Sequence, residues 1–470
     1  MKRRHFLKST AAALVAAQTG SIFGGRPAHA DAGSSSRPRL KMPPLLDTRE
    51  TGRLSLSARA GALSLAGGPA TATTGFSQDY LGPTIIMQNG SLAANVENTL
   101  DEAISVHWHG LLVPGEHDGG PHLPISPGQS WTPDMSIAQQ PATAWYHSHI
   151  HGRTAEQVYS GLAGVIHVTD GHDAERGLPV DYGVDDLTLV LQDRRISPSG
   201  QMVYDPSMMD VMHGFMGNRM LVNGQVGAVA AVPAGIVRLR LLNGSNARSY
   251  RLAFDDGRPM HMIATDGGFL PGSVTLDGLT LSPGERVEIL VDFATGAAPV
   301  LRSGFEQPFG VLEFAIDDTL PARITSHPEG FGPELEVLTG TQVRTRTLSL
   351  DMGMGGMMGG AGGFAINQRP FAMDRIDLEV ELGSVEKWVV SSTMIAHPFH
   401  VHGALFRVVS ENGSPPRPEN LGWKDTVLVR DQAEIIMRFD QPASRDKPFM
   451  YHCHILEHED AGMMGQFTVS

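Results

Sequence analysis

At 470 residues, with 41% hydrophobic and 18% charged side chains, the chain is long enough for two to four domains of ordinary globular composition. Its formal charge of −14 argues against nucleic acid and anionic membrane as partners. The single cysteine, Cys453, cannot form an internal disulfide, so oxidative stapling plays no part in the fold.

Residues 1–30 have the layout of an export signal: Lys2-Arg3-Arg4, an apolar run over Ala11–Ala17, and the small-residue site Ala28-His29-Ala30. The Arg3-Arg4 pair followed by Phe6-Leu7-Lys8 resembles a twin-arginine signal, which makes that export machinery an expected partner. The mature chain is expected to begin near Asp31 and to work in the periplasm. No later segment offers the ~20 apolar residues of a membrane span, and a monomer is expected.

Residues 31–45 read as a flexible leader. Three blocks follow, 46–170, 187–318 and 335–470, separated by the polar stretch Gly171–Asp186 and by Asp317-Asp318-Thr319-Leu320-Pro321 through Pro333. Each block is a series of short alternating runs broken by Gly, Pro and Asn, the pattern of strands and turns. No segment keeps a helical period over many turns. Ala94–His109, Val237–Phe254 and Glu386–His402 share one rhythm, so the blocks read as loose repeats. An all-β protein of three β-sandwiches in a row is expected, the middle one without metal.

His107-Trp108-His109 and His147-Ser148-His149 are both His-x-His, and in a strand each places two imidazoles on one face. His397-Pro398-Phe399-His400-Val401-His402 and His452-Cys453-His454-Ile455-Leu456-Glu457-His458 complete the set. One such pair is commonly a solvated surface. Here four clusters hold 10 of the 20 histidines and flank the lone cysteine, which points to metal. In an extended strand His452 and His454 face one side and Cys453 the other, so one strand serves two sites. Cys453, two histidines and a weak Met are the donor set of a blue-copper centre. Structural zinc would need more cysteines or a closed four-ligand set.

With these motifs in hand, the chain closely resembles the multicopper oxidases, and especially the bacterial periplasmic copper-efflux oxidases. Leu81-Gly82-Pro83-Thr84-Ile85, Leu281-Ser282-Pro283-Gly284-Glu285-Arg286 and Gly422-Trp423-Lys424-Asp425 support it. The resemblance implies three consecutive cupredoxin-like Greek-key β-sandwich domains and four copper ions. It places type 1 copper on His397, Cys453, His458 and Met463, with Met464 as a competing axial ligand. Type 2 copper falls to His107 and His400, and the type 3 pair to His109, His147, His149, His402, His452 and His454. All these positions are intact, unlike those of relatives that keep the fold, have lost copper and serve as structural proteins. The resemblance further implies four one-electron oxidations coupled to reduction of dioxygen to two waters. Asp118 and Glu459 stand at the family's proton-relay positions; otherwise Asp118, before Gly119-Gly120, is a turn former and Glu459 a solvated acid.

The electron donor is the open step. Asp351-Met352-Gly353-Met354 and Met357-Met358 form a glycine-rich loop of thioethers, soft ligands suited to Cu(I). Met208, Met209, Met212, His213, Met216 and Met220 form a second cluster, a short helix or loop in which packing is as good an account. The loop is shorter than the family's insert, and Thr393-Met394-Ile395-Ala396 stands where an acid and a methionine are expected before His397. These departures bring phenol oxidation, as by a small laccase, close behind, and a cuprous oxidase of periplasmic copper tolerance with laccase-like activity is expected slightly ahead of it. A copper-binding protein of this fold without turnover is the third reading.

Overall fold

The computed structural model describes residues 37–65, 67–304, 309–338, 343–353, 363–392 and 394–470. The export signal and Met354, Met357 and Met358 lie outside the described residues.

Three pairs of sheets follow in chain order. A four-stranded and a five-stranded sheet close on a core that includes Leu54, Ile85, Val96, Trp108 and Ile166. A seven-stranded and a five-stranded sheet enclose Leu189, Leu239, Ile289 and Phe314. A six-stranded and a five-stranded sheet enclose Trp388, Phe399, Ile435 and Phe467. Sequence alternation dictates which face goes in. In Arg53–Ser64 the side chains of Leu54, Leu56 and Ala58 are buried while Arg53, Ser55 and Arg59 are exposed. Ile236–Asn243 is buried throughout, as a central strand covered on both faces must be.

The repeat is real at the level of strand pairing. Arg53–Ser64 runs parallel to Gly90–Asn98, Asp186–Arg194 to Ile236–Asn243, and Arg344–Met352 to Val385–Ser392. The fold is three successive cupredoxin-like β-sandwiches. Helices are short: α1 (Thr154–Ser160), α2 (Met208–His213) and α3 (Leu456–Asp460). No described helix is long and apolar enough to cross a membrane.

The strands of the last sandwich position the ligand candidates. His397–Val401 lies between Thr426–Val429 and Phe449–Cys453, with Phe399 opposite Cys453 and His400 opposite His452. In the first sandwich, His107 pairs with His147 at the end of strand Ala142–His147. Gly119 makes the neighbouring turn possible: its φ is +82°, and a Cβ there would collide with the Val106 carbonyl.

Candidate metal centres

Eight histidines meet between the first and last sandwiches: His107, His109, His147, His149, His400, His402, His452 and His454, each no more than 1% exposed. They cross in pairs, His107 stacking on His402 and His109 on His400, both with ring centroids 3.7 Å apart. Candidate donor atoms converge in three groups, His109/His147/His454, His149/His402/His452 and His107/His109/His400. Burial, followed by the neighbouring rings and charges, holds His109, His147, His149, His402 and His454 well below the usual histidine range, and His400 at about 4. Neutral imidazoles are what a metal requires.

The second nitrogen of most rings is already committed. Nδ1 of His107 donates to the Asp118 carbonyl (3.0 Å), that of His147 to the Ser148 carbonyl (2.8 Å) and that of His452 to the Cys453 carbonyl (3.1 Å). His400 Nδ1 donates to the Asp425 carbonyl (2.8 Å) and His402 Nδ1 to Asp118 Oδ2 (2.8 Å). His109 is turned the other way, donating Nε2–H to Asp425 Oδ1 (3.0 Å). These bonds fix tautomer and ring orientation, as around metal-ligating histidines generally. They leave His109 Nδ1, His147 Nε2 and both nitrogens of His454 buried without a partner.

Nitrogens that face one another are 3.2 Å apart in His149/His452 and His402/His452, and 3.4 Å apart in His107/His400. Two donors each about 2.0–2.1 Å from one ion, at tetrahedral to trigonal angles, lie roughly 3.3–3.6 Å apart. Ring nitrogens facing one another at about the edge length of a coordination polyhedron, beside the unpartnered His109 Nδ1, His147 Nε2 and His454 nitrogens, fit a metal.

A second centre is enclosed by the last sandwich. Cys453 Sγ lies 3.3 Å from His397 Nδ1 and 3.7 Å from His458 Nδ1, and the two nitrogens are 3.2 Å apart. Met463 shares the core cluster that holds Cys453, whereas Met464, on the strand paired with His452, packs elsewhere. Burial raises the Cys453 thiol and holds His397 at about 4. A thiol so placed is neutral until a cation displaces its proton. His458, on α3, is oriented from outside: its Nε2 donates to the Met212 carbonyl of α2 (3.3 Å).

The acids take outer positions. Asp118 Oδ2 lies 3.4 Å from His107 Nδ1 as well as bonding His402, so it both forms the turn and braces two rings. Glu459 is buried with its oxygens 3.4 Å from His149 Nδ1 and 3.2 Å from His452 Nδ1. Burial pushes its carboxyl up, but those histidines outweigh this and hold it at about 2. Asp351 is occupied locally, accepting from Ser349 Oγ (2.8 Å) and the Gln368 amide (2.6 Å). Met352 packs against the core of the last sandwich. Met208 and Met209 are 59% and 58% exposed on α2, and Met394 is 60% exposed. Two contacts escaped the sequence reading: the Arg286–Asp425 pair, and the stack of Trp145 on His147 at 4.1 Å.

Family models described as multicopper oxidase match residues 57–173, 185–299 and 337–470. The chain belongs to the multicopper oxidase family. A laccase-like multi-copper oxidase, CueO, from the lignin-degrading bacterium Ochrobactrum sp. is 45% identical, with a TM-score of 0.88 over 92% of this chain and 100% of that one. That protein is described as having oxidase activity towards lignin model compounds. Cell division protein FtsP of Xenorhabdus nematophila is 36% identical over 100% of this chain and 99% of its own length. FtsP of Escherichia coli K12 matches equally well, 36% identical over 100% and 99%.

The family implies copper, and the donors described above fit it. The expected cuprous oxidase or laccase is corrected by the FtsP relatives, which match this chain end to end and are named for cell division and not for oxidation. The expectation of an oxidase enzyme is corrected with it: turnover does not follow from the fold and an intact donor set.

Proposed function

We propose that the chain is a copper-holding protein of the multicopper oxidase fold that serves cell division outside the cytoplasm, without substrate turnover as its task. The observation that carries this reading is the end-to-end similarity to proteins named FtsP. The oxidase activity of the Ochrobactrum protein belongs to that protein.

Four copper ions are the proposed complement. His397, Cys453, His458 and Met463 would hold one. His107 and His400 would hold a second, and His109, His147 and His454, with His149, His402 and His452, the remaining pair. Copper bound there supplies one-electron redox capacity and a cross-link between the first and last sandwiches. Any ligand that binds only the folded state adds stability by mass action, about 4 kcal/mol at a thousandfold excess over Kd. The protein's own part is to bury eight imidazoles and to fix the ring orientation of six of them, His107, His109, His147, His400, His402 and His452, by hydrogen bonds. Export through the twin-arginine route fits the Arg3-Arg4 leader.

Deletion of the gene, scored by cell length and septum spacing, tests the division role. Elongated or chained cells restored by the wild-type gene support it. Oxygen uptake by copper-loaded protein, with chelated Cu(I) and with a dimethoxyphenol, tests the absence of turnover. Normal division in the deletion strain, or sustained uptake abolished by Cys453→Ser, overturns the reading.

A further inference from the structure

We propose that Arg286, from the middle sandwich that supplies none of the ligand candidates, is a positioning residue for the histidine cluster. It clamps Asp425 so that Asp425 fixes His109 as the Nε2–H tautomer with Nδ1 turned to the metal position. The inference rests on the copper-holding reading.

Arg286 is fully buried and every guanidinium N–H is used. Nε donates to the Thr143 carbonyl (2.9 Å), on the strand of the first sandwich that ends in His147. Nη1 donates to the Gly284 carbonyl (3.0 Å) and to Asp425 Oδ1 (2.7 Å). Nη2 donates to the Asp266 carbonyl (3.1 Å) and to Asp425 Oδ2 (2.6 Å). One side chain thereby ties a strand of the first sandwich to a carboxylate of the last. Asp425 passes the constraint on twice. Its Oδ1 accepts from His109 Nε2 (3.0 Å), and its carbonyl accepts from His400 Nδ1 (2.8 Å).

His109 needs this device because its ring is reversed. His107, His147, His400, His402 and His452 all donate through Nδ1, four of them to a backbone carbonyl. His109 instead donates through Nε2, and to a side chain that could rotate away. The bidentate fork removes that freedom. Charge by itself is not what the site lacks, since Lys424 already lies 3.0 Å from both Asp266 and Glu285. Shape is, and a lysine cannot supply a planar fork. The residue after His109 is shaped to the clamp as well: a Cβ on Gly110 would lie 2.6 Å from Arg286 Nη2.

The test uses mature protein with 15N-labelled histidine, His109 being assigned by its loss in His109→Gln. Metal-free wild type is expected to show His109 protonated at Nε2, and Arg286→Met a mixture of tautomers. On copper titration Arg286→Met should bind the cluster's copper about 10–100-fold more weakly, while the blue Cys453 site fills as in wild type. Arg286→Lys, which keeps the charge, should fail in the same way and serves if the methionine variant does not fold. Arg240→Met is the control, because Arg240 is buried in the same sandwich against Asp186 and Glu288 without touching a cluster histidine. An unchanged His109 tautomer and copper affinity in Arg286→Met, or an equal loss in Arg240→Met, overturns the proposal. If wild type takes up no copper between the sandwiches, the copper-holding reading falls, and the tautomer spectrum still decides the clamp.

Discussion

The two candidate metal centres are built on opposite plans. The Cys453 group takes its candidate donors His397, Cys453 and His458, with Met463 in the same core, from one sandwich, so that sandwich's own core holds it. The histidine cluster exists only where the first and last sandwiches dock, and neither half is a site alone. The middle sandwich offers a ligand to neither, yet it braces both, through Arg286 at the cluster and the Met212 carbonyl at His458. A site within a domain inherits that domain's stability, whereas a site between domains depends on the contacts that align them.

The hardest break in this contrast is Asp425→Ala. It leaves Arg286 buried without its carboxylate and His109 without an acceptor, at a cost of about 3–5 kcal/mol. Urea unfolding should show that loss, and metal analysis should show the cluster emptied while the Cys453 site stays blue. Copper removal comes next. Chelation should lower the thermal midpoint, and Cys453→Ser should abolish only the share that the Cys453 site contributes, as calorimetry on loaded and stripped protein would show.

Acid should strike both centres together. Burial holds His400 and His397 at about 4 in the folded chain, below the ordinary histidine value of about 6.5. The unfolded chain therefore binds more protons between these values, and stability falls as pH falls. Metal-free protein should keep full stability above about pH 6.5 and lose it progressively towards pH 4, by up to about 3 kcal/mol per histidine. A flat urea midpoint between pH 7 and pH 4.5 would contradict this. The smallest effect belongs to Met208→Ser and Met209→Ser. Both side chains are mostly exposed, so stability should move by no more than about 0.5 kcal/mol.

Much of this was legible in the chain itself, for reasons particular residues make plain. Alternation along Arg53–Ser64 and the three matching rhythms announce strands because a strand's side chains must alternate faces. The same rule puts His452 and Cys453 on opposite faces of one strand, and their donor atoms fall in different candidate groups. The Arg286–Asp425 clamp was not legible as a contact. The two residues are 139 apart, and an arginine opening a strand has no local mark of burial. The use of the Asp351 carboxylate to accept from Ser349 and Gln368 was not legible either, because a glycine-rich loop does not reveal the turn that follows it. The role in the cell was the least legible, since ligands report what a fold can hold and not which partner needs it.

The most direct measurement is copper per chain in mature protein after dialysis, in wild type and in Cys453→Ser, with His402→Ala beside them. The account predicts about four, three with the blue band lost, and a blue protein that has lost cluster copper. One copper per chain in wild type, or loss of the blue band in His402→Ala, would contradict two separately built centres.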